Sequence, residues 1–524
     1  MNNKETFFTK EPMFYKSMFS MLAFVALQNI VAYSVNMADN IMLGTYSQAA
    51  LSGAATVNQV FFIIQQFAIS FGNALVALAA QYWGQHRAKP IRTLAGITLK
   101  VGVAVSVILI IICGLIPSGI IRIFTFDADI IAEGTKYLLI IMWTFLLYII
   151  TNILMAALRA VGTVNISFYI SIVSLVVNVG INYVLIFGKL GLPEMGIVGA
   201  AIGTLIARII ELIIVIVYLA KFDKKLNLFR RPPEDAVAAE IAEASSESTP
   251  TAAVPANMDS ANDTVPASIA TNEESVKNAS AATGNTAIIS GQKKKGDFAL
   301  SWLFDNNKDL WKDFLKVYFP IFCATVLWGV SVPMQTAILG HMSADAIAAN
   351  SVATTFYQYL KVIVVAMSST SAVMIGQSIG RGDMVRIKSD GRTLSVIDVI
   401  IGLILGILLV ILKNPLLTLY DLNPNALRLA GNLILIMAVI MVGMSYQMPV
   451  SFGIIQGGGD AKFTMAMNLI STWCIVMPLS FMAAYWWKWP VEWVVVVVQS
   501  DQIFKCLPTW LHFRKYTWMK KITR

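Results

Sequence analysis

Long apolar runs alternate with short polar breaks along this chain. Twelve runs can be marked, at 14–43, 50–80, 93–116, 130–157, 164–188, 196–221, 311–340, 346–378, 393–413, 426–452, 463–486 and 491–511. Each is long enough to cross a hydrocarbon core of about 30 Å. A backbone in hydrocarbon must satisfy its own hydrogen bonds, and these runs are too long for strands and do not alternate. The pattern predicts an all-α integral membrane protein with 12 transmembrane helices.

Composition agrees. The chain is 57% hydrophobic and only 13% charged, where a soluble protein carries about 25% charged residues. The net charge of +9 does not indicate nucleic acid, because most of the excess sits in alternate loops. Arg87, Lys89 and Arg92 follow the second run, Arg159 the fourth, and Arg381, Arg386, Lys388 and Arg392 the eighth. The tail carries Arg514, Lys515, Lys520, Lys521 and Arg524. By the positive-inside rule both termini and the central loop face the cytoplasm. The first apolar run is full length and has no small-residue cleavage site, so it reads as a spanning helix, not a signal peptide. Together with the lack of a eukaryotic-type targeting sequence, this fits a bacterial inner membrane. The four cysteines are far apart and show neither metal spacing nor a disulfide framework.

Between the sixth and seventh runs the character changes. Residues 232–300 are rich in Ala, Ser, Thr, Asn and Glu, with too little apolar surface to offset the entropy of ordering, and are expected to be a disordered linker. It divides an N-terminal lobe, 1–231, from a C-terminal lobe, 301–524. Setting Gly44 on Gly340, an offset of 296, aligns Leu43 with Leu339, Ser47 with Ser343, Ala50 with Ala346, Gln81 with Gln377 and Gly84 with Gly380. At an offset of 297, Arg159-Ala160-Val161-Gly162 meets Gln456-Gly457-Gly458-Gly459. The order and register imply a duplication. Each half has six runs, so the copies enter the membrane in one orientation, related by a pseudo-two-fold along the membrane normal.

Polar residues inside the runs carry the candidate chemistry. Asp39 closes the first run, where a carboxylate costs about 2.5–3.5 kcal/mol on insertion scales and usually faces a bundle interior or a wet cavity. Asn178 and Asn182, at i and i+4, share one helix face in an otherwise apolar run. They serve either as interhelical glue or, with Asp39, as hard oxygen ligands suited to Na⁺. Arg208 and Glu211 at i and i+3 are either a self-compensating pair or part of a proton or substrate route. Lys361 lies near the centre of the eighth run, opposite Gln65 in the repeat, and either snorkels or lines a cavity. Asp398 and Asp501 are further intramembrane acids. Tyr446 and Gln447 of the tenth run join the weaker substrate-path candidates. Trp328, Tyr357, Met367 and Met444 either pack or line an adaptable cavity. Trp486, Trp487, Trp489 and Trp493 read as an interfacial belt.

The segments Met37-Ala38-Asp39 through Gly44, Ala80-Gln81-Tyr82-Trp83-Gly84-Gln85, Ala157-Leu158-Arg159-Ala160-Val161-Gly162, Gly196-Ile197-Val198-Gly199-Ala200-Ala201 and Gln456-Gly457-Gly458-Gly459-Asp460 resemble the multidrug and toxic compound extrusion (MATE) family. So does Asn178 through Gly188. The resemblance implies two six-helix lobes that open alternately to each side. It implies efflux of organic, often cationic, compounds driven by Na⁺ or H⁺ entry, with no other cofactor. It places a cation site on Asp39, Asn178, Asn182 and Thr204, with Na⁺ at the first three. Two departures stand out: the seventh run has no acid beyond Pro320, and no proline lies between Pro12 and Pro90.

The leading expectation is a cation-coupled antiporter in the lipid bilayer, exporting small organic, cationic compounds, sufficient as a monomer. The alternative is a flippase or exporter of a lipid-linked or saccharide substrate. The three histidines, His86, His341 and His512, sit at run ends or loops without a nucleophile motif, so no catalytic residues and no enzyme are expected.

Overall fold

The structure, a computed structural model, describes residues 7–229, 301–340, 342, 344–418 and 423–523. The segment expected to be a disordered linker lies outside the described residues. The first lobe comprises α1 (Pro12–Tyr46), α2 (Gln48–Gly84), α3 (Ala88–Leu115), the short α4 (Pro117–Arg122), α5 (Ala128–Ile141), α6 (Trp143–Ala160), α7 (Asn165–Ile186) and α8 (Gly196–Lys221). The second comprises the short α9 (Ser301–Phe304), α10 (Lys308–Gly340), α11 (Ala344–Arg381), α12 (Met384–Leu417), α13 (Pro424–Ile455) and α14 (Ala461–Trp486). It closes with α15 (Val491–Gln499), α16 (Asp501–Phe504) and α17 (Cys506–Lys515).

Eleven helices among the described residues are long and apolar enough to cross a membrane. The twelfth crossing is made in three pieces by α15, α16 and α17, because Gln499-Ser500-Asp501-Gln502 interrupts its apolar run. No strand occurs among the described residues. Local chemistry sets the boundaries. Ser47 breaks α1 from α2 in an extended conformation, and the Asp127 carboxylate caps α5 by accepting from Asp129 and Ile130 amides at 2.9 and 3.2 Å. Pro449 cannot supply an amide hydrogen, and α13 widens into a π-helical stretch over Pro449–Ile455.

The duplication is visible in backbone geometry. Gly162 and Gly459, aligned by the repeat, both adopt left-handed conformations, at φ +72° and +100°, where their helices end. The lobes meet along α1, α2, α10 and α11. An aromatic seam joins α2 to α10: Phe62–Trp328, Phe67–Phe322 and Phe71–Tyr318 have ring centroids 6.2, 5.1 and 4.9 Å apart. Such pairs contribute about 0.5–1.5 kcal/mol each beyond burial. The end of the bundle that carries the termini is also laced across the lobes. Thr9 donates its hydroxyl to Asp390 at 2.6 Å, and the Gln81 side chain bonds Lys520 and Ile522 at 3.1 and 3.0 Å.

Candidate functional site

The first lobe brings the predicted residues together. The Asp39 end of α1 packs against α7, whose polar face presents Asn178 and Asn182, while α8 brings Thr204 alongside. The Asn182 amide donates to the Asp39 carboxylate at 2.6 Å and to the Asn178 carbonyl at 3.3 Å. Asn178 in turn donates to the Thr204 hydroxyl at 3.2 Å. Asp39, Asn178 and Asn182 are buried, at 7%, 1% and 0% exposure. Both Asn182 amide hydrogens are therefore used, yet its carbonyl oxygen is buried with no hydrogen-bond partner. Gly203 allows this approach, since a Cβ there would overlap that carbonyl.

Carboxylate, amide and hydroxyl oxygens thus lie in one buried hydrogen-bonded cluster. Such a set suits a hard monovalent cation, or a proton taken up by the carboxylate. Among the described residues no group of three His, Cys, Asp or Glu could hold a transition metal.

Two tyrosines escaped the sequence reading. Tyr137 of α5 lies close enough to Thr204 and Asp39 to interact electrostatically with both. Tyr148 of α6 lies beneath the Arg208 guanidinium, 5.0 Å from ring centroid to Cζ. An aromatic in an apolar run gives no signal of this kind; only its position relative to Asp39 does. Arg208 and Glu211 form an ion pair at 2.6 Å, and Arg208 is close enough to act on Asp39.

The remaining candidates are placed elsewhere. Gln447 belongs to the second lobe, donating to Gln502 at 3.0 Å. Gln502 donates to Asp501 at 2.9 Å, and Lys505 donates to Asp501 at 2.7 Å and Asn468 at 2.9 Å. Lys505 and Asn468 are not among the sequence candidates, although Lys505 follows Asp501 by one helical turn, a readable signal. Tyr446, one residue before Gln447, faces away along a groove with Ser395, Val399 and Phe513. Tyr357, Met367 and Met444 are packed core residues at 4%, 1% and 4% exposure, with the Tyr357 hydroxyl on the Met444 sulfur at 2.8 Å. Asp398 is 1% exposed and neither carboxyl oxygen has a partner. Lys361 lies over the Trp328 ring at 4.8 Å.

Two six-helix lobes related by a repeat, with a polar cluster sunk in one of them, are an architecture that many membrane transporters share. The MatE family profile matches residues 25–184 and 320–482, covering both lobes, and the chain belongs to that family. Its relatives are named as multidrug resistance proteins. It is 21% identical to "Probable multidrug resistance protein NorM" of Thermotoga maritima, over 94% of this chain and 91% of that one. It is 20% identical to "Probable multidrug resistance protein YoeA" of Bacillus subtilis, over 98% and 96%. Among solved structures, the Vibrio cholerae MATE transporter VcmN superposes with a TM-score of 0.75 at 14% identity, covering 97% of this chain and 98% of that one. A MOP superfamily transporter from Pyrococcus furiosus superposes at 0.73 and 14% identity, with 95% of each chain covered.

Proposed function

We propose that the chain is a cation-coupled antiporter that exports small organic compounds across a bacterial inner membrane by alternating access, with both termini cytoplasmic. Asp39, Asn178, Asn182 and Thr204 bind the coupling Na⁺ or H⁺. The observation that carries this reading is the Asn182 carbonyl, part of the amide that donates to Asp39, yet itself buried without a donor. A buried polar atom without a partner costs about 1–3 kcal/mol, and a cation seated between it and Asp39 satisfies both.

The crossing of α2 and α11 near Gly84 and Gly380 supports a state closed at the termini end. Coupling requires that cation and cargo favour the two lobe arrangements differently. Asp39 gives the cation that leverage, because filling the site neutralises a carboxylate and alters the α1–α7–α8 contacts.

The test is efflux of fluorescent organic compounds from proteoliposomes under separate Na⁺ and H⁺ gradients, for wild type and Asp39→Asn. Gradient-driven export in wild type that disappears in the variant supports the reading and identifies the ion. Unaffected export in Asp39→Asn moves the coupling site elsewhere. A folded wild type that moves nothing under either gradient defeats the antiporter reading.

A further inference from the structure

The charges within the spans are distributed unevenly between partners. Asp39 is held by Asn182, Glu211 by Arg208 and Asp501 by Lys505. Asp398 is sealed at 1% exposure. Lys361 differs from all of these. No carboxylate or other acceptor among the described residues lies within bonding distance of its ammonium, whose close neighbour is the Trp328 ring at 4.8 Å. Asp501 acts on it only through space and is already neutralised by Lys505 at 2.7 Å.

Of the buried acids Asp398 and Asp501 of the second lobe, Asp501 is paired with Lys505 and Asp398 has no hydrogen-bond partner, so the Lys361 ammonium has no carboxylate partner among the described residues. Lys361 is only partly buried, so its three N–H donors are open to an acceptor from outside the chain. The setting adds shape to that charge. Trp328 lies between Lys361 and the Phe62 ring of α2 on the opposite lobe, 6.2 Å away. Tyr357 lies one helical turn before Lys361 on the same face of α11. In the repeat, the equivalent of Lys361 is the neutral Gln65, so the positive charge belongs to one lobe alone.

A cationic cargo would meet an unneutralised ammonium here, with no exposed carboxylate to offset it. An organic acid would pair with Lys361 and lay its ring against Trp328. We propose that Lys361 and Trp328 form an anion subsite in the second lobe, and that the exported compound is an aromatic acid or zwitterion whose carboxylate Lys361 receives. This rests on the export reading above and replaces the cationic cargo implied by the family resemblance. It also separates the roles of the lobes, with the coupling cation on Asp39 in one and the anionic group of the cargo on Lys361 in the other.

The experiment uses the full-length protein in proteoliposomes and a matched pair of fluorescent probes, an aromatic amino acid and its methyl ester, each driven by whichever gradient supports transport. Wild type is expected to show a KM for the acid about tenfold or more below that for the ester, as a charge-assisted hydrogen bond supplies. Lys361→Gln should abolish that ratio, and Lys361→Arg should retain it. A wild type that prefers the ester, or a Lys361→Gln variant that keeps the acid-to-ester ratio, overturns the subsite while leaving the antiporter standing. Failure of wild type to move either probe or any other organic compound under either gradient removes the export reading itself.

Discussion

Gly84 of α2 and Gly380 of α11 lie back to back. A Cβ on either would overlap a backbone carbonyl of the opposite helix, that of Gln377 in one case and Gln81 in the other, and would come within 2.9 Å of the facing glycine's Cα. The relationship is reciprocal residue for residue, because Gln81 and Gln377 are themselves aligned by the repeat. The pseudo-two-fold axis thus runs through this crossing, at the end of the bundle that carries both termini. Two helices can approach so closely only where neither has a side chain.

Gly84→Ala is therefore expected to force α2 and α11 apart at this end. Overpacking costs about 1–3 kcal/mol, sufficient to move a two-state equilibrium roughly five- to hundredfold. Spin labels at Arg87 and Arg381, both exposed, should report a longer separation in the variant. An unchanged distance distribution would show that the crossing is not the closing contact.

The tail makes the second contact at this end. Trp518 is fully buried, and a Cβ on Gly458 would strike its ring. Lys520 donates its amide to the Gly458 carbonyl at 2.8 Å and accepts from Gln81 of the first lobe at 3.1 Å. Trp518→Ala should cost about 3–5 kcal/mol and lengthen the same spin-label distance. Gln81→Ala should lengthen it without the large loss of stability. If Trp518→Ala lowers the melting temperature but leaves the distance alone, the tail stabilises its own lobe and does not tie the two together.

Sequence and structure agree most closely where period and depth carry the information. Asn178 and Asn182 share a face because they are four apart, and Asp39 is at their level because it closes its run. The aligned glycines at 84 and 380 followed from register, but that they touch one another did not. Tyr137 and Tyr148 were illegible because an aromatic in an apolar run looks the same whether or not a charged group stands near it. The lacing of Thr9 to Asp390 and of Gln81 to Lys520 joins residues hundreds of positions apart, which no local pattern encodes. The three-piece final crossing was foreshadowed by Gln499-Ser500-Asp501-Gln502, a polar run too short to end a span and too polar to stay regular.

Arg208 and Glu211 are a partly buried ion pair within one helix. Removing one partner of such a pair costs about 3–5 kcal/mol, whereas replacing both with apolar residues is often neutral. Arg208→Met should therefore lower thermal stability sharply, and Arg208→Met with Glu211→Leu should restore it. Transport in the restored double variant then separates the two readings of the pair. Activity near wild type identifies a self-compensating pair, while a folded, inactive protein places the pair on the coupling path beside Asp39.

Asp398 poses the opposite case, a carboxyl with no partner to lose. It is 1% exposed in the middle of the bundle, and neither oxygen accepts or donates a hydrogen bond among the described residues. The nearby Ser445 and Tyr446 hydroxyls are likewise unpartnered. Leucine has similar bulk and no polar atoms, so Asp398→Leu should raise stability by about 1–3 kcal/mol, the cost of a buried unsatisfied group. Thermal unfolding in detergent, at matched ionic conditions, reads this directly. A fall in melting temperature would mean that the carboxyl has a partner in the folded protein. If added Na⁺ then stabilises wild type but not the variant, Asp398 holds a second ion, in the lobe opposite Asp39.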